Sequence, residues 1–125
     1  MSTSEERLYS AEEADALIPE IRSTLEGMRR ARQVILRSGE KIKRAVSANG
    51  GGPETKEYVE AVGTLRSGVE SLSEQGIIVR DVETGLVDFP SERDGRVVYL
   101  CWRLGEDRVG FWHPPETGFG GRRPL

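Results

Sequence analysis

At 125 residues, with 36% hydrophobic and 31% charged side chains, the chain has room for one domain with a modest core, and too much apolar content to be disordered throughout. A formal net charge of -3 gives no global attraction to nucleic acid or anionic lipid, so a partner of either kind would need a local patch. A single cysteine cannot close an intrachain disulfide, and the opening MSTSEERLYS lacks the basic start and apolar run of a signal peptide, which makes a reducing cytoplasm the expected compartment and a membrane span unexpected.

Ser10 followed by Glu13 predicts a capping box, in which the hydroxyl accepts from the Glu13 amide and the carboxylate reaches back to the Ser10 amide. A helix is therefore predicted from about Ala11, with Glu12 and Glu13 at the positive end of its dipole. Pro19 removes a backbone donor and crowds the preceding turn, which predicts a kink or a break after a short segment Ala14–Ile18. Beyond it Ile21, Met28, Ile35 and Ile42 recur every seven residues, flanked by Leu17, Leu25, Ala31 and Val46, in the pattern of a coiled-coil seam.

Asn49-Gly50-Gly51-Gly52-Pro53 ends this helix and starts a second, which carries Tyr58, Val62, Leu65, Val69 and Leu72 in four-three spacing before Gly76. Gly63 and Gly68 weaken that helix, and close approach of a neighbouring backbone is the expected reason for both. Two seams joined by a short loop make an antiparallel hairpin over residues 10–76. It has more apolar seam than one small sheet can cover, which predicts a homodimer in which two hairpins form a four-helix bundle. Arg30, Arg37, Lys41 and Arg44 form a basic stripe away from the seam, with Arg29, Arg32 and Lys43 nearby. No aromatic residues accompany it for base stacking, so it reads as a solvated face and not as a nucleic-acid contact.

The second half changes period. Gly85, Gly95 and Gly105 recur every ten residues beside polar turn formers, separating four predicted strands: Ile77–Val82, Leu86–Phe89, Arg96–Leu104 and Arg108–His113. The expected architecture is α+β: one domain over residues 1–125, with a long antiparallel helical hairpin (10–76) packed on a small four-stranded antiparallel β-meander (77–113) and a Gly/Arg-rich tail (114–125). In the third strand Val98, Leu100, Trp102 and Leu104 share the more apolar face and Val97, Tyr99, Cys101 and Arg103 the other. A two-residue turn at Glu106-Asp107 would pair Trp102 with Phe111, Leu100 with His113 and Cys101 with Trp112. Apolar matching favours that register, which separates Cys101 from His113; a shift of one residue puts them on one face.

Six of the eight aromatic residues fall between Phe89 and Phe119, and the sole Cys, the sole His and both Trp lie between Tyr99 and Arg123, so a site is expected in this last third. No nucleotide loop, catalytic triad or closed metal motif is present, and no reaction is identified. For a small anionic or aromatic ligand, Trp112 and Phe119 supply flat walls, Asp88, Glu106 and His113 directional polar groups, and Arg122 a bidentate grip, while glycines around Phe119 let backbone amides approach. For a divalent metal, Cys101, Glu106 and His113 offer the donor types, with Asp88 a further oxygen, though without the closely spaced Cys and His pairs that mark zinc sites. A Cys101 nucleophile would need His113 or Arg103 beside it, and a mid-strand Cys between Leu100 and Trp102 reads more simply as core.

The runs GLVDFP (85–90), LCWRLGE (100–106), FWH (111–113) and GFGGRRPL (118–125), with the early helix bearing Leu17 and Pro19, together resemble a small bacterial family catalogued as domain of unknown function 2203. The resemblance covers nearly the whole chain, and it implies that Asp88, Cys101, Trp102, Gly105, Glu106, Trp112, His113, Gly118, Phe119, Gly121 and Arg122 match the family pattern. It implies no activity, since the family has none assigned. The function predicted is a binding module with an aromatic and charged C-terminal pocket for a small ligand or metal ion; the alternative is an interaction module acting through the helical hairpin.

Overall fold

In the computed structural model, residues 7–49 and 53–125 are described. Helix α1 spans Ala11–Asn49 and α2 spans Pro53–Glu74. The predicted capping box is present, Glu13 N donating to Ser10 Oγ at 3.0 Å and Ser10 N to Glu13 Oε1 at 2.8 Å. The predicted break at Pro19 is absent: α1 runs on through it. Pro19 is exposed, so its ring meets solvent, and water can satisfy the carbonyl left without a donor. Ala14, Ile18, Ile21, Leu25 and Met28 form the buried stripe, in four-three spacing.

Helix α2 runs back along α1, placing Ser38 Oγ 3.4 Å from Glu57 Oε1 and Met28 against Gly68. The backbone approach expected at both glycines is not found: a Cβ at Gly68 would lie 2.5 Å from the Met28 side chain, and nothing among the described residues lies within 4 Å of one at Gly63. Val69, assigned to the seam by spacing, is exposed, and Ala61, Gly68 and Leu72 are the buried positions. The connection at Gly50–Gly52 and the seam side chains of Ile42 and Val46 lie outside the described residues. The C-terminus of α2 closes with Gly76 N donating to Ser73 O and Ile77 N to Leu72 O, a Schellman motif with Gly76 at φ 80° and Leu72 and Ile77 both in the core.

Among the described residues the sheet has five strands, not the four predicted: β1 (Ile78–Asp81), β2 (Leu86–Arg93), β3 (Arg96–Arg103), β4 (Phe111–His113) and β5 (Arg123–Pro124), antiparallel in that order. The fifth comes from the tail. Strand β2 continues through Pro90, where it was predicted to end at Phe89. Its pairing with β1 stops at Asp88, so the missing Pro90 N–H interrupts no ladder, and Tyr9 N donates to Pro90 O at 2.7 Å along that vacated edge. Asp94 and Gly95, both at positive φ (55° and 78°), turn β2 into β3 in the type I′ manner that matches strand twist.

One face of the sheet packs on the helices. Val87, Phe89, Leu100 and Trp102 join the α1 stripe, Leu72, Ile77 and Val109 in one buried cluster, edged by Tyr9 against Phe89. Each large apolar side chain so buried contributes roughly 1.5–3 kcal/mol. The Trp102 indole N–H is satisfied by Glu106 O at 3.1 Å.

The register of β3 on β4 is the one that apolar matching disfavoured. Tyr99 pairs with His113, Leu100 with Trp112 and Cys101 with Phe111. No two-residue turn forms at Glu106-Asp107. Glu106 Oε1 accepts from Arg103 N at 3.0 Å, and Val109 N donates to Asp15 Oδ1 at 2.7 Å, drawing residues 104–110 over α1 and burying Val109. Phe111, expected opposite Trp102 in the core, therefore lies on the outer face with Cys101 and His113.

Candidate functional site

Alternation along β3 decides the site's position. With Leu100 and Trp102 committed to the helices, Cys101 must point to the outer face, and pairing places Asp88 of β2 directly opposite it. His113, opposite Tyr99, is the diagonal neighbour of Cys101, within reach of a long side chain. Asp88, Cys101 and His113 are 1%, 1% and 2% exposed, and one donor atom from each can be chosen so that all lie within 4.8 Å of one another.

The carboxylate of Asp88 is shared unequally. Its Oδ2 lies 2.8 Å from Arg80 Nε and 3.0 Å from His113 Nε2, whereas Oδ1 is buried without a hydrogen-bond partner among the described residues, the neighbouring Cys101 thiol being a weak donor to the same carboxylate. His113 Nδ1 is 2.9 Å from Pro114 O, which can only accept, and Nε2 is the atom turned toward Asp88. Burial pushes the Cys101 thiol up to about 12, the Asp88 charge adding to this and Arg122 opposing it. A thiol so held is protonated near neutrality, which removes the activated-nucleophile reading in the absence of a bound cation.

The tail roofs these residues. A cavity of about 270 Å³ is bounded below by Arg80, Asp88, Cys101 and His113 and above by Pro115, Thr117, Gly118 and Phe119. Arg122 fastens the roof: its guanidinium donates to Glu106 Oε2 at 2.6 Å and lies over the rings of Phe111 at 3.8 Å and Phe119 at 4.5 Å. Leu125 N donates to Gly110 O at 2.9 Å, extending the hold provided by β5.

The motifs meeting here come from four separate stretches of chain, and a profile of uncharacterized conserved proteins matches residues 7–125. The chain belongs to that family, DUF2203. No curated protein and no solved structure matches the chain. The DUF2203 match takes in both faces of the sheet, its roof and the two helices.

Of the residues selected by sequence, Asp88, His113 and Phe119 border one cavity, and Cys101 joins them. Glu106 and Arg122 do not border it; they bind each other and hold the roof. Glu106 is accordingly absent from the cluster of possible metal donors, where Asp88 takes its place. Trp112 faces the opposite way, partly buried against the helix side of the sheet with Arg93 at 4.6 Å over its ring. Arg80 was missed. It lies in a short half-buried strand with no motif around it, and only the pairing of Ile78 with Asp88 brings its side chain to the site.

Proposed function

We propose that this protein is a small-ligand binding module whose site is the outer-face cavity between Asp88, Cys101, His113 and the Phe119 roof. The observation that carries it is the buried Oδ1 of Asp88, without a hydrogen-bond partner among the described residues, beside two other buried groups able to bind: buried acceptors are nearly always paired, so an unpaired one calls for a reason besides packing. Arg80 and His113 orient the carboxylate, and Phe119, itself part-exposed, forms part of the cavity wall.

The only histidine in the chain gives an unambiguous NMR reporter. Titrating the full-length protein with acetate, inorganic phosphate and zinc ions should shift the His113 ring signals with at least one probe, saturably. Native mass spectrometry should detect a retained mass that is absent after denaturation. A chain with no added mass and no movement of His113 with any of the three overturns the proposal.

A second reading, a homodimer through the paired helices, is favoured by Leu36, Val59 and Val69, which are 57%, 61% and 41% exposed on α1 and α2. Light scattering should then give twice the chain mass, and Val59→Glu should return it to the monomer. A monomer at high concentration removes this reading.

A further inference from the structure

We propose that Asp88, Cys101 and His113 form a three-ligand site for a divalent transition-metal ion of the zinc class, with an open coordination position toward the cavity beneath Thr117 and Phe119. The inference rests on the reading of that cavity as the binding site and names what it holds.

A thiol, an imidazole and a carboxylate converging from three adjacent strands suit a borderline-soft cation; magnesium and calcium prefer all-oxygen shells. Three protein ligands and one open position are the arrangement of a zinc ion that takes a further ligand, in contrast to the closed four-ligand structural type. The supporting contacts also fit. The bond from His113 Nδ1 to Pro114 O orients the ring so that Nε2 is the ligating atom, and Arg80 holds Asp88 through Oδ2, leaving Oδ1 free to ligate. A hydrogen-bonded network serving stability alone would be expected to engage both oxygens.

In a tetrahedral site with bonds of about 2.0–2.3 Å, ligands sit roughly 3.3–3.6 Å apart. The widest separation here, 4.8 Å, therefore closes by roughly 1.2–1.5 Å on loading, through side-chain rotation of His113 and Asp88 while the strands stay paired. Ligation replaces the Cys101 S–H hydrogen and any hydrogen on His113 Nε2, both of which leave to the buffer as protons.

Cobalt(II) tests this, because a cobalt–thiolate bond produces a near-ultraviolet charge-transfer band that carboxylate or imidazole ligation does not. The full-length protein, stripped with chelator and titrated with cobalt(II), should develop that band with saturation at one ion per chain. Cys101→Ser should lose the band while retaining its circular dichroism, and Asp88→Asn should weaken cobalt binding at least about 10-fold. As a measurement that needs no variant, one equivalent of zinc should slow alkylation of Cys101 by iodoacetamide in the native chain. Absence of the band together with unprotected Cys101 overturns the metal site. If acetate or phosphate still shifts His113, the cavity reading survives that loss; if neither does, both fall.

Discussion

The two faces of one sheet divide the work of this protein. On the inner face Val87, Phe89, Leu100 and Trp102 meet the apolar stripe of α1, while one residue along each strand Asp88 and Cys101 point outward, as buried as their neighbours but beside Arg80 and His113. The inner face gains from burial in proportion to apolar area. The outer face buries a carboxylate with one oxygen unpartnered, which opposes folding. Equal burial with different chemistry is a mark of a site: a buried carboxylate oxygen left unpartnered is better explained by what it holds than by how it packs.

Substitutions on the two faces should therefore separate stability from binding. Trp102→Ala, at the centre of the inner face, should have the largest effect, lowering the stability measured in urea by roughly 3–5 kcal/mol, because the removed ring leaves a cavity and an unpaired Glu106 carbonyl. Arg122→Ala should come next, at roughly 1.5–3 kcal/mol, since it removes a charged hydrogen-bond donor from Glu106. Its more telling effect lies on the outer face, where a loosened roof should raise the iodoacetamide reactivity of Cys101 several-fold; unchanged reactivity would detach the tail from the site.

Cys101→Ala should be the mildest at pH 7, at roughly 1 kcal/mol. Its difference from the native chain should shrink as pH rises. The thiol titrates near its ordinary 9.0 when unfolded and at about 12 when folded, so between these values the unfolded state holds fewer protons and stability falls. That contribution is fully present below pH 9 and lost toward pH 12. Tyr9, whose hydroxyl is also raised by burial, adds to the same alkaline loss and remains in the variant. Urea midpoints at pH 8 and pH 11 should show a smaller drop for Cys101→Ala than for the native chain; equal drops would mean that Cys101 is not buried as a neutral thiol.

Much of this division was legible locally. Ser10 and Glu13 announce the start of α1, Gly76 its counterpart at the end of α2, and the alternation Leu100, Cys101, Trp102 separates core from outer face before any pairing is known. The candidate list reached Asp88, Cys101, His113 and Phe119 because reactive and aromatic types crowd the last third. It also included Glu106, Arg122 and Trp112, since composition cannot distinguish a group that lines a cavity from one that holds its roof or packs behind it.

The sequence by itself determined the two helices and the parity of β3, because capping, helix termination and side-chain alternation act over a few residues. Tertiary structure alone decided which outward residues meet. The register that joins His113 to Cys101 is set by Val109 bonding to Asp15, 94 residues away in the chain, and by Glu106 folding back on Arg103. A slip of one residue would have turned the histidine to the other face with the local signals unchanged, because a strand's period of two leaves its partner's register to contacts distant in sequence.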